Sequence, residues 1–196
     1  MTSLRHIPDA RLDAYLDAAR DCILDVGWRR TTLTEVARRA GVSRMTIYRA
    51  WPDMGSLLGD LMTREWVGIA AATRVAAADT TTPAGIAAAA LSTVRALRDN
   101  ELFVRIVELD PDLMLPYLLH RRGRSQEALI EILAAEVASG QETGAIRAGD
   151  PVLIARTLTL AGQGFVFSAL TMTDGTIGLA DLDAEYARLI TRTLEP

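Results

Sequence analysis

Two short helical segments separated by Gly41 constrain the fold of this chain more than any other feature of its sequence. Thr32 and Glu35 have the spacing of a capping box, which starts a helix by satisfying two backbone N–H groups. Gly41 ends that helix and suits a left-handed turn, and Ser43 is a good N-cap for a second helix over residues 44 to about 49. Because another helix precedes the pair, the pattern predicts a helix-turn-helix.

Apolar residues recur at helical spacing along the rest of the chain, and no run has the period of two that a half-buried strand needs. After a short arm over residues 1–8, a first helix starts at Asp9 and ends at Gly27. Later helices are predicted over residues 53–78, 86–97, 126–139, 151–172 and 181–194. The helix over 151–172 is apolar on nearly all sides, so we expect both of its faces to be buried.

Positive charge is concentrated in the helix-turn-helix of a chain that is acidic overall. The 196 residues carry a formal net charge of -4, which argues against a polycation that coats nucleic acid. Within residues 28–49, however, six arginines accompany a single acid, Glu35. Arginine offers forked donors that suit phosphates and guanine edges, so this segment indicates contact with DNA.

The second helix of the motif carries the side chains best placed to read DNA, and Ile47 of this helix is expected to point inward. An α-helix fits the major groove, and residues near its N-terminus then meet base edges, while residues further along reach phosphates. The start of the first helix offers further hydroxyl and backbone donors to a phosphate. The candidates for base edges are Ser43, Arg44, Met45 and Thr46, and those for phosphates are Tyr48, Arg49, Trp51, Thr32 and Thr34.

The run GWRRTTLTEVARRAGVSRMTIYRAWPDMGSLLGDLM resembles the DNA-binding domain of TetR-family transcriptional repressors over about residues 9–65. The resemblance implies an all-α fold. A three-helix DNA-binding domain (9–65, motif 32–51) then precedes a larger helical ligand-binding and dimerisation domain (80–196). It also implies a homodimer that binds a palindromic operator on double-stranded DNA and releases it when a small molecule enters the second domain. The implied DNA contacts are Thr32, Thr34, Ser43, Arg44, Met45, Thr46, Tyr48 and Arg49.

Three positions depart from the pattern of that family. Ala50 stands where a histidine or tyrosine is common, and Met54 stands where a lysine is common; both usual residues help to hold phosphate. Gly55 replaces a helix-forming residue. We therefore expect modest non-specific DNA affinity. We expect the contacts with DNA phosphates to depend mainly on four arginines, namely Arg29, Arg30, Arg39 and Arg49.

The same resemblance implies that the last two helices of each chain, at about 151–172 and 181–194, pair into a four-helix bundle. The apolar surface of the 151–172 helix is too large to be buried on one face alone, which agrees with that arrangement. Gly162 and Gly164 either let the backbone of another helix approach closely or ease packing within the chain.

Large apolar side chains outside the helix-turn-helix are the candidates to line an effector pocket. They are Trp66, Phe103, Met114, Tyr117, Phe165 and Met172. The alternative for each is an ordinary place in the core. A lining with few charges favours a hydrophobic or mildly polar effector, and nothing in the sequence calls for a cofactor.

Two other functional classes compete with a DNA-binding regulator. An enzyme built on a helical bundle needs a convergent acid–base or metal set, and two isolated histidines without a Glu-x-x-His pair argue against it and against a metal site. A helical interaction protein whose motif no longer reads DNA stays open because of Ala50 and Met54. Activation instead of repression also stays open.

The sequence favours a cytoplasmic location. The single cysteine, Cys22, excludes an internal disulfide and fits a reducing compartment. The N-terminus has no apolar run of the signal-peptide kind. The longest uncharged run, seventeen residues between Arg156 and Asp174, is too short and too polar to predict a membrane span.

Overall fold

The computed structural model describes residues 10–196, and every element in that part of the chain is helical. The expected arm over residues 1–8 and the helix start at Asp9 lie outside the described residues. The α-helices are α1 (Ala10–Val26), α2 (Leu33–Arg39), α3 (Arg44–Ala50), α4 (Met54–Ala76), α5 (Pro83–Arg98), α6 (Glu101–Leu109), α7 (Leu115–Leu119), α8 (Arg124–Glu142), α9 (Pro151–Ser168) and α10 (Leu179–Leu194).

The chain forms two compact units, and the first contains the helix-turn-helix. It comprises the residues up to Thr63 together with Glu101–Arg121. Ile23 of α1, Val36 of α2 and Ile47 of α3 have no exposed surface and form its centre. Helix α6 packs against α1, so a segment that follows α5 in the chain belongs to the unit that carries the motif. The sequence-based boundaries did not place it there, because such packing between distant segments has no local signature.

The second unit comprises Arg64–Asn100 and Arg122–Pro196. Helix α5 packs against both α9 and α10, and α8 packs against α9. Its core is aliphatic with one large aromatic: Tyr186 of α10 is 2% exposed, and its ring lies 4.3 Å from that of Phe165 between centroids. Side chains cap three further helix starts along the chain: Asp53 accepts the N–H of Ser56, Thr82 that of Gly85 and Asp150 that of Val152.

Helix α9 differs from the sequence expectation. It ends at Ser168 and is followed by a 3₁₀ turn, Ala169–Met172. Leu153, Leu160 and Leu170 are 62%, 70% and 67% exposed, so the expectation that both faces are buried is wrong for the single chain. By length and composition alone the segment over 151–172 is apolar enough to cross a membrane, a test that core helices of soluble proteins also meet.

The two glycines of α9 have different surroundings. A Cβ at Gly162 would lie 2.9 Å from the hydroxyl oxygen of Tyr186, so this glycine is needed for packing within the chain. A Cβ at Gly164 would meet nothing within 4 Å, so Gly164 leaves its side of α9 open to another backbone.

Candidate nucleic-acid interface

Local hydrogen bonds fix the two helices of the motif. The Thr32 hydroxyl oxygen accepts the N–H of Glu35 at 3.2 Å, and Ser43 accepts the N–H of Thr46 at 3.2 Å. Gly41 adopts φ 68°, which confirms the predicted left-handed turn. The capping box is only half formed, because the Glu35 carboxylate accepts from Arg38 Nε at 2.9 Å instead of reaching back to the cap.

Helix α3 exposes the face that the sequence assigns to DNA. Ile47 is fully buried and anchors the opposite face, as the sequence predicts. Met45 and Tyr48 are 63% and 47% exposed, a large fraction for apolar and aromatic side chains. Ser43, Arg44 and Arg49 are exposed as well, and Thr46 is half-buried with its hydroxyl oxygen 2.9 Å from that of Ser43. These side chains therefore form one surface along α3.

The start of α2 adds two hydroxyls to the candidate set. Thr32 is exposed, and its hydroxyl oxygen already accepts the Glu35 N–H, which leaves its O–H free to donate. Thr34 is half-buried two residues further on. The Thr32 O–H at this helix start is a donor that suits a phosphate oxygen, and the carboxylate of Glu35 lies in the same turn.

Trp51 does not belong to the DNA-facing set. Its side chain is buried, with 3% of the residue exposed, and its indole N–H donates to Asp60 at 2.7 Å. The edge of one ring faces Tyr15, 6.5 Å away between centroids. The sequence placed Trp51 among the phosphate candidates, but the chain turns inward at the end of α3 and uses the indole as core.

The six arginines of the segment fall into two groups. Three are paired with carboxylates: Arg38 with Glu35 at 2.6 Å, Arg39 with Asp25 at 2.6 Å, and Arg29 with Asp110 at 2.9 Å and Asp112 at 3.2 Å. The hydrogen bond from Arg38 lowers the pKa of Glu35. The other three form no ion pair within the described part of the chain: Arg30, Arg44 and Arg49.

This division changes which arginines are expected to bind phosphate. Arg29 and Arg39 were expected to do so, yet both form ion pairs with acidic residues of the chain itself. Ala50 and Met54 are half-buried and carry no charge with which to replace them. The uncompensated positive charge of the motif is therefore concentrated at Arg30 and on α3.

A carboxylate far along the chain holds the turn that precedes α2. Asp110 is 4% exposed and accepts the backbone N–H of Trp28 at 3.2 Å and the Nε–H of Arg29 at 2.9 Å. Gly27 has φ 83°, and a Cβ there would lie 3.5 Å from Leu109. Sequence reasoning did not find Asp110, because 82 residues separate it from Trp28 and its local sequence resembles an ordinary helix end.

The candidate ligand-lining side chains are divided between the two units. Phe103, Met114 and Tyr117 belong to the first, and Trp66, Phe165 and Met172 belong to the second. Phe103 and Met114 are each 6% exposed, as core residues are, whereas Met172 is 64% exposed. Their role in one effector pocket stays a prediction.

Comparison with known proteins identifies the family to which this chain belongs. The family model of bacterial regulatory proteins of the tetR family matches residues 16–61. An HTH-type transcriptional regulator from Mycobacterium bovis is 36% identical over 154 residues, which are 79% of each chain. This chain belongs to the TetR family. The resemblance of the helix-turn-helix is thereby confirmed.

Solved structures extend the likeness of this TetR-family chain over its whole fold. The transcriptional repressor QsdR of R. erythropolis has a TM-score of 0.72 at 17% identity, with 95% of each chain covered. SmeT of Stenotrophomonas maltophilia, in its complex with triclosan, has a TM-score of 0.60 at 19% identity, with 95% of this chain and 92% of SmeT covered. The all-α fold is thus confirmed, and membership of the TetR family makes the chain a transcriptional regulator and not an enzyme.

Proposed function

We propose that this TetR-family regulator is a cytoplasmic, homodimeric repressor that binds a palindromic operator through α3. A small hydrophobic ligand in the second unit releases it from the operator. The surface of α3 carries the DNA part of the proposal. Its side chains opposite the buried Ile47 are exposed, and Arg44 and Arg49 form no ion pair with any described residue. Such a helix is free to place arginine donors at base edges and phosphates.

The exposed apolar side of the last helices supports the dimer. Leu153 and Leu160 of α9 are 62% and 70% exposed, and Leu189 of α10 is 47% exposed. Apolar surface of this kind in a soluble protein marks an interface, and a homodimer would bury it by two-fold symmetry. Gly164 leaves room for the backbone of the partner subunit. A two-fold dimer presents two α3 helices, which explains why the operator should be palindromic.

The ligand part of the proposal rests on the aromatic content of the second unit and on one neighbour in fold. SmeT has been solved with triclosan bound. Phe165 and Trp66 in this chain are half-buried, so part of each side chain remains available to line an apolar site. Phe165 also packs against the core of the second unit.

Fluorescence anisotropy tests the DNA part. The full chain is titrated onto DNA that flanks its own gene and onto a scrambled duplex, across a salt series. We expect preference for one duplex by about 10³ or more. R49A should reduce the salt slope by about 1 for each phosphate contact removed. R122A is the charge-matched control, because Arg122 is bonded to Glu127 on α8, and its salt slope should be unchanged.

Either of two results would contradict this assignment. One is equal loss of affinity in R49A and R122A, which would make the effect one of net charge. The other is unchanged operator binding in a R44A/Y48A variant, which would place DNA recognition elsewhere on the protein.

Sedimentation of apolar-to-acid variants tests the dimer. L160E places a charge on the exposed side of α9 and should give monomers with weakened operator binding. V75E is the control, because Val75 is 88% exposed on α4, outside the proposed interface, and should stay dimeric. A dimeric L160E would remove α9 from the interface.

A further inference from the structure

The exposed surface of α3 lacks the side chains that select two of the four bases. Helix α3 and its cap, over residues 43–50, contain no aspartate, glutamate, asparagine or glutamine. In the major groove, carboxylates accept from the amino group of cytosine, and the amides of asparagine and glutamine form paired hydrogen bonds with adenine. The groups that suit cytosine and adenine are therefore absent from this surface, which leaves guanine and thymine.

The two hydroxyls at the start of α3 discriminate poorly between bases. Ser43 Oγ accepts the N–H of Thr46 at 3.2 Å, and the two hydroxyl oxygens lie 2.9 Å apart, so one of the hydroxyls donates to the other. Thr46 is half-buried as well. Because a hydroxyl both donates and accepts, the bonding capacity that remains suits every base edge. Base selection by α3 therefore depends on its other exposed side chains.

Arg44 is the side chain of this surface that suits guanine. It is exposed, it forms no ion pair with any described residue, and α3 has no acid in its first turn. Guanine presents two acceptors, O6 and N7, to the major groove, and a guanidinium fork donates to both at once. Arg49 lies five residues further on, about 140° around the helix. The two arginines therefore leave α3 in different directions, and only Arg44 belongs to the base-reading candidates.

Met45 is the apolar part of the same surface. It precedes the fully buried Ile47 by two residues, about 200° around the helix, so it faces almost directly away from the core. It is 63% exposed. The C5 methyl of thymine is the apolar group that bases present in the major groove, and an unbranched thioether side chain adapts its shape to such a contact. Contact with thymine would account for the exposure of this apolar side chain.

We propose that each α3 reads a guanine through Arg44 and the methyl group of a nearby thymine through Met45, so that each operator half-site contains both bases. This inference rests on the proposed operator binding and deepens it, because it names the bases that the surface selects. Tyr48 and Arg49 contact phosphates in the same complex, and phosphate contacts carry no sequence information.

Chemically altered duplexes test each contact. The full chain first selects its operator from random-sequence DNA, and anisotropy then compares matched duplexes. Replacing the guanine with 7-deazaguanine removes the N7 acceptor and should weaken wild-type binding about tenfold. Replacing the thymine with uracil removes only the methyl group and should weaken binding about fourfold. Uracil and 7-deazaguanine placed outside the half-sites are the controls and should leave the affinity unchanged.

Protein variants assign the two contacts to their side chains. R44A should abolish the 7-deazaguanine effect and M45A the uracil effect, each with the other effect retained. R44K keeps the charge but loses the fork, so it should also lose most of the preference for guanine. R49A is the matched control, because it removes an exposed arginine from the same helix and should weaken all duplexes by a similar factor. All three positions are exposed, so the variants should unfold at the wild-type temperature.

The guanine contact is overturned if the selected half-sites share no guanine, if the wild type binds 7-deazaguanine as tightly as guanine, or if R44A keeps the preference. The thymine contact is overturned if uracil binds as well as thymine, or if M45A retains the uracil effect. Failure to select any sequence refutes the proposed operator binding itself, whereas a selected operator without these bases refutes only their assignment to Arg44 and Met45.

Discussion

Replacing Asp110 with alanine should destabilise the unit that carries the helix-turn-helix. The change leaves the Trp28 N–H without its charged acceptor, a loss of about 1.5–3 kcal/mol for hydrogen bonds to charged groups. The ion pair with Arg29 adds at most about 1 kcal/mol, because Arg29 is 69% exposed and water screens it. A free-energy loss of about 2 kcal/mol should lower the melting temperature of a chain of this size by about 4–8 °C.

Asp112 provides the matched control, since it binds the same arginine. Its side chain is 74% exposed, and D112A should change stability by no more than about 0.5 kcal/mol. Thermal unfolding followed by far-ultraviolet circular dichroism measures both variants. Equal melting temperatures for D110A and D112A would refute the reasoning, because the cost would then come from the charge of Arg29 and not from the buried hydrogen bond that holds the turn.

Three further predictions concern other parts of the chain. G162A should cost about 1–3 kcal/mol in thermal unfolding, because its Cβ would lie 2.9 Å from the Tyr186 hydroxyl, whereas the Cβ of G164A meets no atom of its own chain and should weaken only the proposed dimer, in which this glycine leaves room for the partner's backbone. Burial raises the pKa of Asp183, but hydrogen bonds from two arginines outweigh it and leave that pKa lowered. The stability that Asp183 contributes is therefore present above its unfolded pKa of about 3.9 and lost as the pH falls through its lower folded value, so D183N should flatten the acid limb of a stability–pH curve. Burial, more than the nearby acids, raises the pKa of the Cys22 thiol, so a thiol reagent should label the native protein far more slowly than the unfolded one; equal rates would contradict the buried position.

The sequence predicted those parts of the fold that local chemistry determines. Thr32 and Ser43 cap their helices, Gly41 makes the left-handed turn, and Ile47 points inward, each as its immediate neighbours in the chain require. Such features depend on residues within one helical turn, so a single sequence contains all the information they need.

The sequence could not predict interactions between distant segments. Asp110 reaches a turn 82 residues earlier, and Asp183 reaches Arg95 88 residues earlier. In the sequence these acids look like ordinary surface carboxylates near helix ends. Trp51 is another example. Its position at the end of α3 suggests exposure in the sequence, but its side chain lies in the core and its indole N–H donates to Asp60.

Counting charges along the sequence overstates the positive charge that DNA meets. The segment over residues 28–49 has six arginines and one acid, but carboxylates at Asp25, Asp110 and Asp112 lie outside that window and pair with two of the arginines. Non-specific affinity depends on the number of phosphates that unpaired cations neutralise, so few unpaired arginines give weak binding to random DNA. In the proposed mode of DNA binding, a larger share of operator affinity then comes from base contacts made by α3. Removing Asp112 frees Arg29 on one side and should raise affinity for scrambled DNA and for the operator by a similar factor, because a phosphate contact carries no sequence information. If D112A instead improves operator binding alone, Arg29 contributes to sequence recognition and the division between paired and unpaired arginines does not govern specificity.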